Sequence, residues 1–348
     1  HNNRPIQGRY SPGSAFKPLD ALIALQNGVV DPTTTFYCPG FYMAGRHRVK
    51  CEHIDKNVAL SYGIARSCNT YFCHIFSKLI TKNGYGQQRQ TYDKWQEQVR
   101  KFGIGDTLGI DLPFEKSSKL FTSVDYDKMH GKRWGNTTII SLAIGQGELL
   151  TTPLQMANIM AVIANRGYYI KPHLVKGIGN KKLIRKKYTE KHYAGIEQRH
   201  FGPVIDGMQD AVNASWGTAI ESRIPGIVMC GKTGTVQNNK GKNHSVFIGF
   251  APRDNPKIAI AVIVENGGYG GAYAAPIASY ITEKYLRDTI SPSRKGSMEW
   301  IRSKNLLPEL KPPSMPKPLK PVDPQKSVAP PNKNAVVTTL KKQVNKSL

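Results

Sequence analysis

The sequence predicts an α/β fold of the α+β kind, an antiparallel sheet flanked by helices, on three observations. The first is the apolar run after Thr152-Pro153, where Leu154, Met156, Ala157, Ile159, Met160, Val162 and Ile163 make a strong helix before Asn165-Arg166-Gly167 closes it. The second is a pair of apolar, β-branched runs, Ser245 to Ala251 and Ile258 to Glu265, joined by the turn cluster Pro252 to Pro256. With a strand over Ile227 to Thr235 they form a three-stranded antiparallel meander. The third is a change of composition at Ser291. Beyond it Pro and Lys dominate, and such a segment buries too little apolar surface to offset its ordering entropy. The expected organisation is a folded domain over 1–290 and a mostly disordered tail over 291–348, with a short helix from Met298 to Leu306.

Taken in order, Pro12-Gly13 turns the chain into a helix that starts at Ser14, runs through Leu19, Leu22, Ile23 and Leu25, and stops near Gly28. Phe36 to His53, rich in Gly, Arg, Cys and His, reads as irregular. Asn57 to Lys78 is helical but interrupted at Ser67-Cys68-Asn69. Gly84 to Asp111 is polar, with a helix over Trp95 to Phe102 that Gly103 ends. Ile139 to Gly147 is an apolar-then-glycine segment. Lys171 to Lys191 reads as an exposed basic hairpin or loop, and Phe201 to Val212 and Ala274 to Arg287 as helices.

The 348 residues carry 49 Lys and Arg against 24 Asp and Glu, a formal net charge of +25. Such an excess suits nucleic acid, an anionic membrane surface or an anionic substrate. The lysines are scattered, and no nucleic-acid-binding signature accompanies them, so nucleic acid is not expected as a partner. There is no signal peptide and no apolar run long enough to span a bilayer. The chain begins at His1 and reads as a fragment of a longer one.

Three short motifs carry chemistry. Ser14 and Lys17 stand at i and i+3, so a helical turn puts a hydroxyl and an amine on one face. A helix N-terminus favours developing negative charge at Ser14, and a desolvated Lys17 could accept its proton. Ser67 and Asn69 place a hydroxyl and a carboxamide on one side of a turn. Lys232-Thr233-Gly234-Thr235 offers, on a strand, an ammonium, two hydroxyls and a glycine that lets a substrate backbone come close. Each pattern recurs by chance: Ser314 and Lys317 repeat the first and Ser303-Lys304-Asn305 the second. All three, in this order and local context, point to a serine nucleophile that works without histidine.

Together these motifs resemble those of the penicillin-binding proteins, the serine D,D-transpeptidases. The likeness extends to Tyr10 to Pro18, Ala143 to Gly147, Thr151 to Pro153, Phe247 to Ala251 and Val264 to Gly268, and is greatest to class B enzymes of the elongation type, with the division type as rival. The resemblance implies the β-lactamase/transpeptidase-like fold, including an all-helical subdomain, with the strands that precede the nucleophile helix missing and a sheet edge exposed. It implies peptidoglycan cross-linking through an acyl-enzyme on Ser14, at the periplasmic face of the inner membrane, with the anchor outside this fragment. Lys17 would be the general base, Ser67 a proton relay to the leaving amine, and Asn69 a hydrogen-bond partner of the substrate backbone. Lys232 would tune the field around Ser67, and Thr233, Gly234 and Thr235 would hold the terminal carboxylate. The backbone N–H groups of Ser14 and Thr235 would form the oxyanion hole, each worth roughly 3 kcal/mol. Implied partners are the D-Ala-D-Ala stem pentapeptide, β-lactams, a membrane glycosyltransferase and other elongation proteins. A β-lactam sensor or β-lactamase shares the motifs, yet no Glu-x-x-Leu-Asn stands between Asn69 and Lys232 to hold a hydrolytic water.

Catalysis of this kind requires no cofactor. Cys38, Cys51, His53 and Cys68 nevertheless offer the donors of a tetrahedral structural zinc site, with His47 as an alternative to His53. Elongation-type enzymes carry zinc beside the Ser-x-Asn motif, although Cys38 stands where a relative has Asp. A Cys38–Cys51 disulfide or simple buried thiols are the competing readings, and Cys73 reads as a core residue.

Overall fold

A computed structural model describes residues 3–179, 185–238 and 241–307. The elements in chain order are α1 Arg4–Gln7, a 3-10 turn Gly13–Phe16, α2 Lys17–Gln26, β1 Phe36–Cys38, β2 Phe41–Ala44, β3 His47–Lys50, β4 Asp55–Val58, α3 Leu60–Ala65, α4 Asn69–Thr81 and α5 Gln88–Arg100. They continue with α6 Ser123–His130, α7 Pro153–Ala164, β5 Tyr168–Ile170, β6 Lys191–Tyr193, α8 Phe201–Asn213, β7 Cys230–Val236, β8 His244–Ala251, β9 Ile258–Val264, α9 Ala274–Arg287 and α10 Pro292–Arg302.

The expected meander is present as the antiparallel sheet β7-β8-β9. Its period of two divides the interior. Val246, Ile248 and Phe250 of β8 join the main core with Phe16, Leu22, Phe72 and Met160, whereas Phe247 and Ala251 face a smaller core with Ala274, Ala275 and Ala278 of α9. Helices therefore cover both faces, α7 and α8 on one and α9 on the other. β9 pairs only with β8 among the described residues.

α7 behaves as its sequence predicts at both ends, and α2 does so at its C-terminus. Thr152 caps α7 with a reciprocal capping box to Gln155 and Pro153 fills the first turn. α2 ends at Gln26, just ahead of Gly28 at φ +64°. Several expectations need correction. The nucleophile helix does not begin at Ser14: Gly13–Phe16 is a 3-10 turn and the α-helix starts at Lys17. The segment Phe36 to His53 is not irregular but carries β1, paired with β4, and the β2–β3 hairpin, strands of three or four residues that are too short to show alternation. α5 starts at Gln88, well before Trp95, because its first turns are polar and bury only Thr91 and Tyr92. α6 had not been expected, although its capping box, Thr122 with Asp125, is written in the sequence. The basic segment is bounded by the β5–β6 pair, and residues 180–184 within it lie outside the described residues.

The helix expected at Met298 to Leu306 lies earlier, at Pro292–Arg302. Arg294 anchors it, pairing with the buried Glu283 of α9 and lying over the Tyr280 ring at 4.5 Å. Residues 308–348, the remainder of the expected tail, lie outside the described residues.

Two glycines bring the catalytic segments together. Gly145 has φ +65°, and a Cβ there would stand 2.2 Å from the Gly13 carbonyl oxygen. The Gly145 carbonyl accepts from Gly13 N–H at 2.8 Å, so this contact fixes the turn that presents Ser14. A Cβ at Gly234 would reach the Pro12 carbonyl oxygen at 3.0 Å. A side chain at either position would push the Ser14 turn off its neighbours.

Candidate active site

Ser14, Ser67, Asn69, Thr233 and Thr235 line one cavity of about 670 Å³. Ser14 enters it from the 3-10 turn, where residues at i and i+3 eclipse, and Lys17 N–H bonds back to the Ser14 carbonyl. Lys17 is fully buried, its Nζ donating to Asn69 Oδ1 at 2.6 Å, the Ser67 carbonyl at 2.7 Å and Ser67 Oγ at 3.3 Å. Burial pushes this amine down to about 8, against the opposing influence of the Cys68 and Cys51 thiols. One amine thus joins the first motif to the second.

Ser67 and Asn69 sit at the break between α3 and α4. Ser67 takes the left-handed conformation, φ +59°, which turns its hydroxyl and the Asn69 carboxamide toward the same amine. Asn69 is held twice more: its Nδ2 donates to the Lys50 carbonyl at 2.7 Å and its backbone N–H to Cys51 Sγ at 3.2 Å.

Lys232 lies on β7 on the same face as Cys230 and Val236, toward the main core. It is fully buried and donates to the Thr233 carbonyl at 2.9 Å. Burial, and after it the Lys17 charge, holds its amine well below the usual lysine range. Thr233 Oγ1 donates to Thr218 Oγ1 at 2.9 Å, and Thr235 Oγ1 accepts from Gly270 N–H at 3.3 Å.

Beside this cavity, the ligand atoms of Cys38, Cys51, His53 and Cys68 all lie within 4.8 Å of one another. Cys51 Sγ is 3.8 Å from Cys68 Sγ and 3.8 Å from His53 Nδ1. The hydrogen bond from Cys68 and the His53 ring hold the Cys51 thiol well below its ordinary value, while Cys68 is pushed up. The disulfide expected as an alternative is absent: all five cysteines are free thiols. His53, and not His47, completes the cluster; His47 points from the β2–β3 hairpin into solvent. Cys73 is buried in the main core.

Sequence reasoning missed the supports. Lys50 lies in a segment whose sequence reads as irregular, and Cys51 stands out there only as a metal ligand and not as a partner of Asn69. Nothing in Trp216-Gly217-Thr218 signals a partner for Thr233. Gly270 had a signal, the glycine-dense run Gly267-Gly268-Tyr269-Gly270-Gly271 directly after the last strand.

A serine on a tight turn, a buried amine with a depressed pKa and a lysine-bearing strand over one cavity make this a serine acyl-transfer site on an α/β scaffold. The chain belongs to the penicillin binding protein transpeptidase domain family, which matches residues 1–283. Within it the likeness is to class B, PBP2-like members. The chain is 32% identical over 306 residues to peptidoglycan D,D-transpeptidase MrdA of Acinetobacter baumannii, covering 82% of this chain and 43% of that protein. It is 30% identical over 311 residues to MrdA of Escherichia coli K12, covering 82% and 47%. Its fold matches Pseudomonas aeruginosa PBP2, solved in complex with WCK 5153, with TM-score 0.72, 31% identity and coverage of 84% of this chain and 63% of that one. Helicobacter pylori PBP2, solved with MreC, matches with TM-score 0.68, 26% identity and coverage of 83% and 52%. The chain spans less than half the length of these two curated relatives.

Proposed function

We propose that this chain is the catalytic part of an elongation-type peptidoglycan D,D-transpeptidase. The observation that carries the proposal is the Lys17 amine, buried and bonded at once to Ser67 and Asn69 at the cavity that Ser14 enters. Lys17 takes the Ser14 proton as Oγ attacks the carbonyl of the penultimate D-Ala. Backbone N–H groups of Ser14 and Thr235 stabilise the oxyanion. Ser67 passes the proton to the departing D-Ala amine, whose carboxylate rests on Thr233 and Thr235. An amine from a second stem then attacks the ester and closes the cross-link. A β-lactam opens on the same serine and stays. With a chromogenic cephalosporin the chain should give a burst of about one equivalent and then almost no turnover; sustained rapid hydrolysis would favour a β-lactamase instead.

The whole protein would act at the periplasmic face of the inner membrane, its anchor outside this chain, beside a membrane glycosyltransferase. Separately, the complex of Helicobacter pylori PBP2 with MreC supports a protein partner for this domain. The folded domain, read over 1–290 from composition, is proposed to reach at least through α10, since Arg294 covers Glu283.

The thiol cluster fits a structural zinc ion. With bonds of about 2.3 Å, a tetrahedral ion sets its thiolates about 3.8 Å apart, the spacing of Cys51 and Cys68. Cys38, Cys51, His53 and Cys68 would hold it, and the ion would supply rigidity beside Asn69. The purified chain should contain stoichiometric zinc, and Cys38→Ser should lower both the occupancy and, by about 5 °C or more, the melting temperature. Elemental analysis that finds no zinc in a fully folded chain would contradict this.

A further inference from the structure

Two hydroxyls, those of Thr233 and Thr235, receive the terminal carboxylate in the proposed reaction, and each is backed from outside β7. Thr235 Oγ1 accepts from the Gly270 N–H at 3.3 Å. An N–H can only donate, so the Thr235 hydrogen stays free to point into the cavity. Thr233 is placed differently. Its Oγ1 donates to Thr218 Oγ1 at 2.9 Å and accepts from Lys232 Nζ at 3.5 Å. A hydroxyl has one hydrogen, and while Thr233 spends it on Thr218 none is left for a carboxylate. The partner is itself a hydroxyl, however, and can take over as the donor when both groups rotate about their C–O bonds.

Thr218 is fixed for this task. It lines the same cavity, in the loop that follows α8. Gly217 N–H donates to the Ala214 carbonyl at 2.9 Å and Ala219 N–H to the Ala211 carbonyl at 2.8 Å, so the chain is tied back on both sides of Thr218. Ala219 is buried in the smaller core. Gly271 closes on the Thr218 carbonyl, where a Cβ would stand 2.5 Å from the oxygen. We propose that Thr218 is a positioning residue for the terminal carboxylate. It donates to Thr233 Oγ1 from behind, so that Thr233 accepts from Thr218 and Lys232 and turns its one hydrogen to the carboxylate. The two hydroxyl bonds then run in one direction and polarise each other toward the negative charge. A donor without charge at that end gains little from Thr218. The inference rests on the transpeptidase reading and adds a residue to its carboxylate site.

The test uses two thioester donors, an N-acyl-D-Ala thioglycolate and the matching thioglycolamide, which differ only in charge at the leaving end. The readout is kcat/KM for thiol release by the full chain. Thr218→Val keeps the shape and removes the hydroxyl. It should lower kcat/KM for the charged donor about fivefold and change the neutral donor less than about twofold. Thr218→Ser keeps the hydroxyl and should stay within about twofold of the wild-type chain on both donors. A valine variant that loses nothing, or loses equally on both donors, overturns the role, and so does a serine variant as poor as the valine one. Endpoint uptake of benzylpenicillin reports whether each variant is folded. If the valine variant takes up none, Thr218→Ala is held to the same outcomes; if that also fails, the serine variant decides, by keeping or losing the preference for the charged donor. A wild-type chain that takes up penicillin while the valine variant shows no charge-dependent loss refutes only the positioning role. A wild-type chain that takes up none refutes the transpeptidase reading and this role with it.

Discussion

Replacing Lys17 by methionine should slow acylation by benzylpenicillin about 10²- to 10⁴-fold, the range of a lost general base. Methionine keeps most of the buried volume but cannot take a proton. The wild-type pH profile gives a second reading of the same group. Burial lowers the Lys17 amine to about 8, and the base is its neutral form. The acylation rate should therefore climb as pH rises and level off above about 8. At pH 6 only about 1% of the amine is neutral, so the rate should be about a hundredfold below the plateau. Stopped-flow acylation between pH 6 and 10 checks both. A rate that falls across this range, or a methionine variant of wild-type speed, would remove Lys17 from its role.

The second large effect falls on stability. Arg294→Ala should cost about 3 kcal/mol, because it leaves Glu283 buried in α9 without its closest cation. The cost is held toward the lower end for such pairs because Arg287 remains 3.5 Å from Glu283 and Ser291 N–H donates to it at 3.2 Å. The variant also loses the guanidinium that lies over Tyr280. Urea unfolding of both proteins gives the difference directly. A shift below about 0.5 kcal/mol would mean that α10 is an ornament on the domain and not a part of it.

What the sequence disclosed and what it withheld divide along a physical line. Ser14 and Lys17, three residues apart, and Ser67 and Asn69, two apart, are local relations, so spacing was enough to pair them. The sheet was legible because β8 and β9 are apolar, β-branched runs joined by a turn cluster, although β8 is apolar on both faces and its sequence does not sort Val246 and Ile248 from Phe247. The contacts that finish the site are not local. Asn69 is held by Lys50 and Cys51 from a hairpin whose strands are too short to show a period. Thr233 meets Thr218 across fifteen residues with no pattern between them. Arg294 sits in a stretch rich in Lys, Ser and Pro, where composition argues for disorder and one buried ion pair argues against it. α6 is a different case, since Thr122 and Asp125 spell its start and only the weak apolar face that follows concealed it.

The central claim is that Ser14 is the nucleophile that Lys17 activates. Intact-mass measurement after benzylpenicillin treatment, followed by peptide mapping, tests it most directly. A single adduct of the mass of the intact drug, located on the peptide that contains Ser14 and lost in Ser14→Ala, is the predicted result. An adduct on Ser67 or any other residue, or one that survives Ser14→Ala, would contradict it.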